Sequence, residues 1–164
     1  MQTGLDRLLR HHSPLIKKKK IGLLAHPASV DKNLRHIFEI LREEKSCELV
    51  ALFGPEHGFF GQAQDMESVG DERQGSIPIY SLYGNRLETL KPTRASLENV
   101  EVLLCDLQDV GSRYYTFIYT LAFCMEVAAE TGTHVVVLDR PNPINGHQVE
   151  GNLLDLKYRS FVGY

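Results

Sequence analysis

The sequence predicts an α/β domain, a mainly parallel five-strand sheet with helices on both faces. Two observations carry this. Five short apolar runs recur along the 164 residues, several of them continuous rather than alternating, as strands covered on both faces are. Between them lie segments with helical spacing. Strands alternating with helices imply right-handed crossovers onto a parallel sheet.

The elements follow in order. Lys17–Lys20 reads as a solvated turn feeding the first strand, Ile21–Ala25. Leu34, Ile37, Phe38 and Leu41 hold the i, i+3, i+4, i+7 pattern of a helix, with Asp31 placed to cap it. Glu48–Phe53 is the second strand. About two dozen residues separate it from the third, Ile77–Leu82. Loops beyond roughly 12–15 residues are usually functional or disordered; this one is glycine-rich and opens with Glu56-His57, which favours function. A short helix at Thr93–Glu98, after Pro92, leads to the fourth strand, Val100–Cys105. Ile118, Leu121, Ala122, Met125 and Ala129 mark a further helix, with Gly132 as its C-terminal cap, before the fifth strand, His134–Leu138. The arrangement is Rossmann-like.

Composition narrows the function. Apolar residues make up 43% and charged residues 24%, as in a folded globular chain. Eighteen basic against 21 acidic residues argue against a nucleic-acid binder. No run approaches the roughly 20 apolar residues of a membrane span, and the first twenty residues lack a signal-peptide core, so the expected address is cytoplasmic, with no membrane partner. Cys47, Cys105 and Cys124 are odd in number and widely spaced, which reads as reduced thiols rather than disulfides or a zinc motif. The first turn, Ala25-His26-Pro27-Ala28-Ser29, is no dinucleotide fingerprint, and no phosphate loop, G-x-S-x-G elbow or H-E-x-x-H occurs.

Ligands of open parallel sheets bind outside the carboxyl ends of the strands. Here those ends read His26-Pro27, Gly54-Pro55-Glu56-His57-Gly58, Tyr83-Gly84, Asp106-Leu107-Gln108-Asp109 and Asp139-Arg140-Pro141-Asn142-Pro143. Glu56, if protonated by partial burial, could act as a general acid, or it could accept backbone N–H bonds and fix its loop. His57 could be an acid–base partner or a simple donor to a loop carbonyl. Asp106, Asp109 and Asp139 could orient a substrate or cap a turn. Arg113 and Arg140 could grip an anionic group or pair with a nearby aspartate, the pairing being favoured for Arg140. Tyr114, Tyr115 and Tyr119 could line a sugar-binding wall, though Tyr115 and Tyr119 could equally be core packing.

These residues carry a resemblance. Leu52–Phe59, Pro78–Gly84, Asp106–Thr116, Leu138–Pro143, Gly4–Leu9, and Glu150-Gly151 with Ser160–Gly163 together resemble the NamZ family of exo-β-N-acetylmuramidases, in order and over nearly the whole chain. The resemblance implies a glycosidase that releases terminal, non-reducing N-acetylmuramic acid from peptidoglycan fragments such as the disaccharide with N-acetylglucosamine. It makes Glu56 the leading catalytic carboxylate. His57, Asp109, Arg113, Tyr114, Asp139, Arg140 and Asn142 become candidates for catalysis, substrate binding or loop support. Glycoside hydrolysis needs one acid and a second group that activates water or attacks the anomeric carbon. Glu56 is the acid; Asp109, Asp139, His57 or a residue elsewhere takes the second role. No metal or cofactor is required. An arginine at the cleft would recognise the lactyl carboxylate of muramic acid.

Family members are about twice a single domain of ~150 residues in length. The resemblance therefore implies that residues 1–164 form one Rossmann-like domain, the amino-terminal portion of a two-domain protein. Such a portion would expose apolar surface at Phe161, Val162 and Tyr164 and self-associate or await its second domain. Two other function classes compete: a non-catalytic sugar- or muropeptide-binding module, and a metal-dependent hydrolase using His26, Glu56, His57 and Asp106. Turnover of a chromogenic muramide separates out the first, and chelator sensitivity the second.

Overall fold

The computed structural model describes residues 2–11, 13–61, 72–84 and 86–163. Its elements are α1 (Gly4–His11), β1 (Lys20–Ala25), α2 (Ile37–Glu43), β2 (Glu48–Gly54), β3 (Glu72–Gln74), β4 (Ile77–Ser81), α3 (Arg94–Leu97), β5 (Val102–Asp106), α4 (Phe117–Thr131) and β6 (His134–Val137). Short 3-10 turns at Ser13–Leu15, Leu87–Leu90 and Leu156–Tyr158 complete it.

The strands form one sheet in the order β3-β4-β2-β1-β5-β6. All neighbours are parallel except β3, which pairs antiparallel with β4 through the tight turn at Gly75. Among the described residues the sheet thus has six strands rather than the five expected. Glu72-Arg73-Gln74 lacks the apolar run that betrays a central strand, and as a three-residue edge it needs none. It occupies the end of the long loop after β2; residues 62–71 of that loop lie outside the described residues.

Alternate residues of the central strands feed two cores, as the pleat dictates. Ile21, Leu23 and Ala25 of β1, with Val102 and Leu104 of β5, meet Leu5 and Leu8 of α1 and Ile37, Phe38 and Leu41 of α2. Leu24, Leu103 and Cys105 face the other way, onto Leu97 of α3 and Cys124 and Val127 of α4. Burial pushes the Cys124 thiol up to about 12 and raises Cys105 too, so both stay protonated and unreactive.

Three local expectations need correction. The cap of α2 is His36, whose ring accepts the Phe38 N–H, and not Asp31. Asp31 instead accepts the N–H groups of Asn33 and Arg35, closing a loop that holds Leu34 81% exposed with φ +62°. The buried face of α4 is Phe117, Thr120, Cys124, Val127 and Ala128, while Ile118 and Met125 are half-exposed. A helix apolar on most of its circumference shows its length by periodicity but not its phase; the Gly132 cap is as expected, at φ +75°. Phe161 and Val162 are half-buried and Tyr164 lies outside the described residues. The exposed apolar side chains of this region are instead Ile144, Val149, Leu153, Leu156 and Tyr158. Among the described residues no helix is long and apolar enough to cross a membrane.

Helix α1 was not foreseen. Thr3 and Asp6 cap it reciprocally: the Thr3 N–H donates to the Asp6 carboxylate and the Asp6 N–H to the Thr3 hydroxyl. That signature, ahead of Leu5 and Leu8, was legible.

Candidate active site

Because β1, β2, β4, β5 and β6 are parallel, their carboxyl ends open onto one edge of the sheet. The chain steps outward from β1 through β2 to β4, then returns to the other side of β1 with β5. The crevice of such a sheet lies at that reversal, above β1 and β5.

Its floor is a buried polar network. Asp106, fully buried at the end of β5, receives Arg140 Nε at 2.5 Å and Nη2 at 2.8 Å on its two oxygens. Arg140 Nη2 also donates to the Val30 carbonyl at 3.1 Å. Burial pushes the Asp106 carboxyl up, against the pull of the guanidinium. Beside them His26 Nε2 accepts the Gln108 N–H at 3.1 Å, which leaves the ring proton on Nδ1. Burial first, then the Arg140 charge and His36, push His26 down to about 4, so its imidazole is neutral. Ser29 ties the His26 N–H to the Asp106 carbonyl.

Above this floor two loops meet. After β2, Gly54-Pro55-Glu56-His57-Gly58 closes a tight turn with the Gly58 N–H on the Pro55 carbonyl at 2.9 Å. His57 takes φ +71°, a left-handed conformation unusual for a side chain with a Cβ. A Cβ on Gly54 would stand 2.4 Å from the Phe59 nitrogen, so the loop folds back directly over its own start. After β5, Asp109 accepts the Gly111 N–H at 3.1 Å, and the chain enters α4 through Tyr115 and Thr116. The Thr116 hydroxyl donates to Glu56 Oε2 at 2.7 Å, joining the two loops. The charges of both carboxylates act on Tyr115. Burial, then Asp109, then Glu56 raise its phenol above the usual range. A column of rings, Tyr115 on Phe117 and Phe117 on His26, each pair 4.8 Å between centroids, connects this surface to the floor.

The expected residues therefore divide. Glu56 and Asp109, both half-buried, stand on the two loops that the Thr116–Glu56 hydrogen bond joins. Asn142 abuts Gly111, where an added Cβ would meet its Nδ2 at 2.6 Å, and Gln108 bonds the Pro141 carbonyl, so the loop after β6 closes against the loop after β5. Arg113 and Tyr114 are exposed on that β5 loop, Arg113 donating to the Asn152 carbonyl at 2.5 Å. Arg140 lies beneath, engaged by Asp106. Asp139 stands apart: β6 is three strands from β2, roughly 14 Å at the usual strand spacing. It lines a separate cavity of about 300 Å³ with Gly4, Arg7 and Val137.

No motif spacing singles out Thr116, a threonine at the entrance of an apolar helix. Its hydroxyl caps nothing here and serves Glu56 instead. Of the residues open to a metal-site reading, His26 Nε2 and both Asp106 oxygens are already committed. Among the described residues no three His, Cys, Asp or Glu side chains gather as ligands.

The model for the amino-terminal part of exo-β-N-acetylmuramidase NamZ matches residues 21–164. The chain belongs to the NamZ family. It is 49% identical over 99% of its length to the peptidoglycan β-N-acetylmuramidase NamZ of Bacillus subtilis, of which it spans 39%. Two crystal structures of DUF1343 family proteins from Bacteroides fragilis superpose with TM-scores of 0.88 and 0.77, at 40% and 35% identity. They cover 99% and 98% of this chain and are themselves covered to 40%. The chain thus spans about two fifths of these NamZ-family relatives.

Proposed function

We propose that this chain carries the acid–base groups of a peptidoglycan exo-β-N-acetylmuramidase, cleaving terminal N-acetylmuramic acid from cell-wall fragments. The observation that carries the reading is the half-buried Glu56 carboxylate, held at one oxygen by the Thr116 hydroxyl, on the same carboxyl edge of the sheet as the β5 loop that bears Asp109. NamZ-family membership supplies the substrate class.

In this mechanism Glu56 gives a proton to the glycosidic oxygen, which takes the electron pair of the breaking bond to the anomeric carbon. Asp109 supplies the second function, either removing a proton from the attacking water or forming the bond to carbon that water later breaks. Water's oxygen ends on the anomeric carbon in both cases. Arg113 meets the lactyl carboxylate as a guanidinium fork, and Tyr114 and Asn142 line the approach. His57 shapes the turn that presents Glu56. Arg140 acts from below, by fixing the end of β5. Asp139, in its separate cavity beside α1, takes no part.

The test is Glu56→Gln in the full natural polypeptide that contains these residues. The substitution keeps shape and hydrogen bonding but removes the transferable proton. General acid assistance is worth typically 10²–10⁴-fold, roughly 3–5 kcal/mol of barrier. Loss on the natural disaccharide should exceed loss on a nitrophenyl muramide, whose leaving group needs less protonation, with the melting temperature unchanged. Equal loss on both substrates together with a lower melting temperature would reduce Glu56 to a loop pin.

A further inference from the structure

We infer that Thr116 is the positioning residue for the acid, deciding which oxygen of Glu56 delivers the proton; this rests on the muramidase reading above. Thr116 is nearly fully buried, 9% exposed, at the mouth of α4. It has αR backbone angles and makes no side-chain cap bond, while its carbonyl already accepts the N–H groups of Tyr119 and Thr120. The hydroxyl's single hydrogen goes to Glu56 Oε2, across 60 residues of sequence. A β-branched side chain has a restricted χ1, which fixes where the hydroxyl oxygen sits, 2.7 Å from Oε2.

The chemical consequence follows from the hydrogen bond's direction. An oxygen that accepts from Thr116 is the poorer place for the carboxyl's own proton. The transferable hydrogen therefore sits on Oε1, and rotation that would present the wrong oxygen breaks the bond to Thr116. From Oε1 the proton passes to the glycosidic oxygen as the bond to the anomeric carbon breaks, and Thr116 keeps its own hydrogen throughout. A serine at this position would keep the donor with a looser aim; valine would keep the shape and lose the donor.

The test compares Thr116→Val and Thr116→Ser with Glu56→Gln, using the disaccharide and the nitrophenyl muramide, in the full natural polypeptide. Thr116→Val should lower kcat on the disaccharide roughly 10- to 100-fold, the scale of a misaligned catalytic group. KM should stay the same, and the nitrophenyl substrate should lose less. Thr116→Ser should recover most of the rate. Melting curves guard against a folding effect: should Thr116→Val melt early, Thr116→Ala, which removes the donor and places no methyl against Glu56, decides the matter through the same leaving-group comparison. Valine and serine variants equally impaired, or a loss that is the same on both substrates, would overturn the positioning role. An inactive wild type, or Glu56→Gln without effect, would overturn the muramidase reading itself. Glu56→Gln inactive with Thr116→Val fully active would overturn only the inference about Thr116.

Discussion

Arg140 and Asp106 are locked together beneath the candidate site, guanidinium to carboxylate through two hydrogen bonds, with side chains 8% and 0% exposed. A guanidinium so engaged holds the start of the β6 loop to the end of β5 and to the Val30 carbonyl. Removing one partner strands a buried charge, which costs about 3–5 kcal/mol. Arg140→Met should therefore lower stability by that order in denaturant titration, and Arg140→Met with Asp106→Leu should recover much of it. A single variant of near-wild-type stability whose KM alone rises would return Arg140 to the substrate.

The neutral His26 makes stability depend on acid. Its folded value is depressed to about 4 against an ordinary value of 6.5. As pH falls below about 6.5 the unfolded chain takes up a proton that the folded chain refuses, so stability is lost down to about pH 4 and levels off below. The integrated loss from this group is at most roughly 3 kcal/mol. Imidazole proton resonances followed from pH 8 to 4 should show His26 still neutral at pH 5. A His26 signal titrating near 6.5 would sink the prediction.

Asp109→Asn tests the second carboxylate. A base or nucleophile is needed whatever the leaving group, so the disaccharide and the nitrophenyl muramide should suffer alike, by about 10²–10⁴-fold. Loss confined to the disaccharide would make Asp109 the acid, and unchanged rates would remove it from the chemistry.

Leu34→Gly should stabilise the protein. Leu34 is 81% exposed and held at φ +62°, so its side chain contributes little burial while its backbone is strained. The left-handed conformation costs an L-residue about 1–2 kcal/mol, partly offset by the extra freedom glycine brings to the unfolded chain. A net gain of about 0.5–1 kcal/mol is expected in thermal or urea unfolding. A loss would mean that the leucine side chain has a partner its exposure does not reveal.

Strands were the most legible part of this sequence, because burial on both faces writes them as unbroken apolar runs such as Ile21–Ala25 and Val102–Cys105. What periodicity could not carry was phase. Ile118 and Met125 repeat as regularly as Cys124 and Val127, and only contact with β5 decides between the two stripes. The site was legible as a set of strand ends, since topology alone sends Glu56, Asp109 and Asn142 to one edge. Partnership was not. That Arg140 serves Asp106, that Thr116 serves Glu56, and that Asp139 opens into a different cavity depend on side-chain reach across strands, which no spacing in one dimension encodes.

The placement of β1 bears on how the protein is made. Its six residues pair with β2 on one side and with β5 on the other, and β5 ends at Asp106, some 80 residues after Ala25. At about 5–20 residues per second, translation leaves one edge of the central apolar strand unpaired for roughly 4–16 s. During that interval the apolar Ile21–Ala25 is open to pairing along that edge, and the cationic Lys17–Lys20 immediately before it, exposed in the finished fold, is the kind of flank that keeps such an edge from joining another chain.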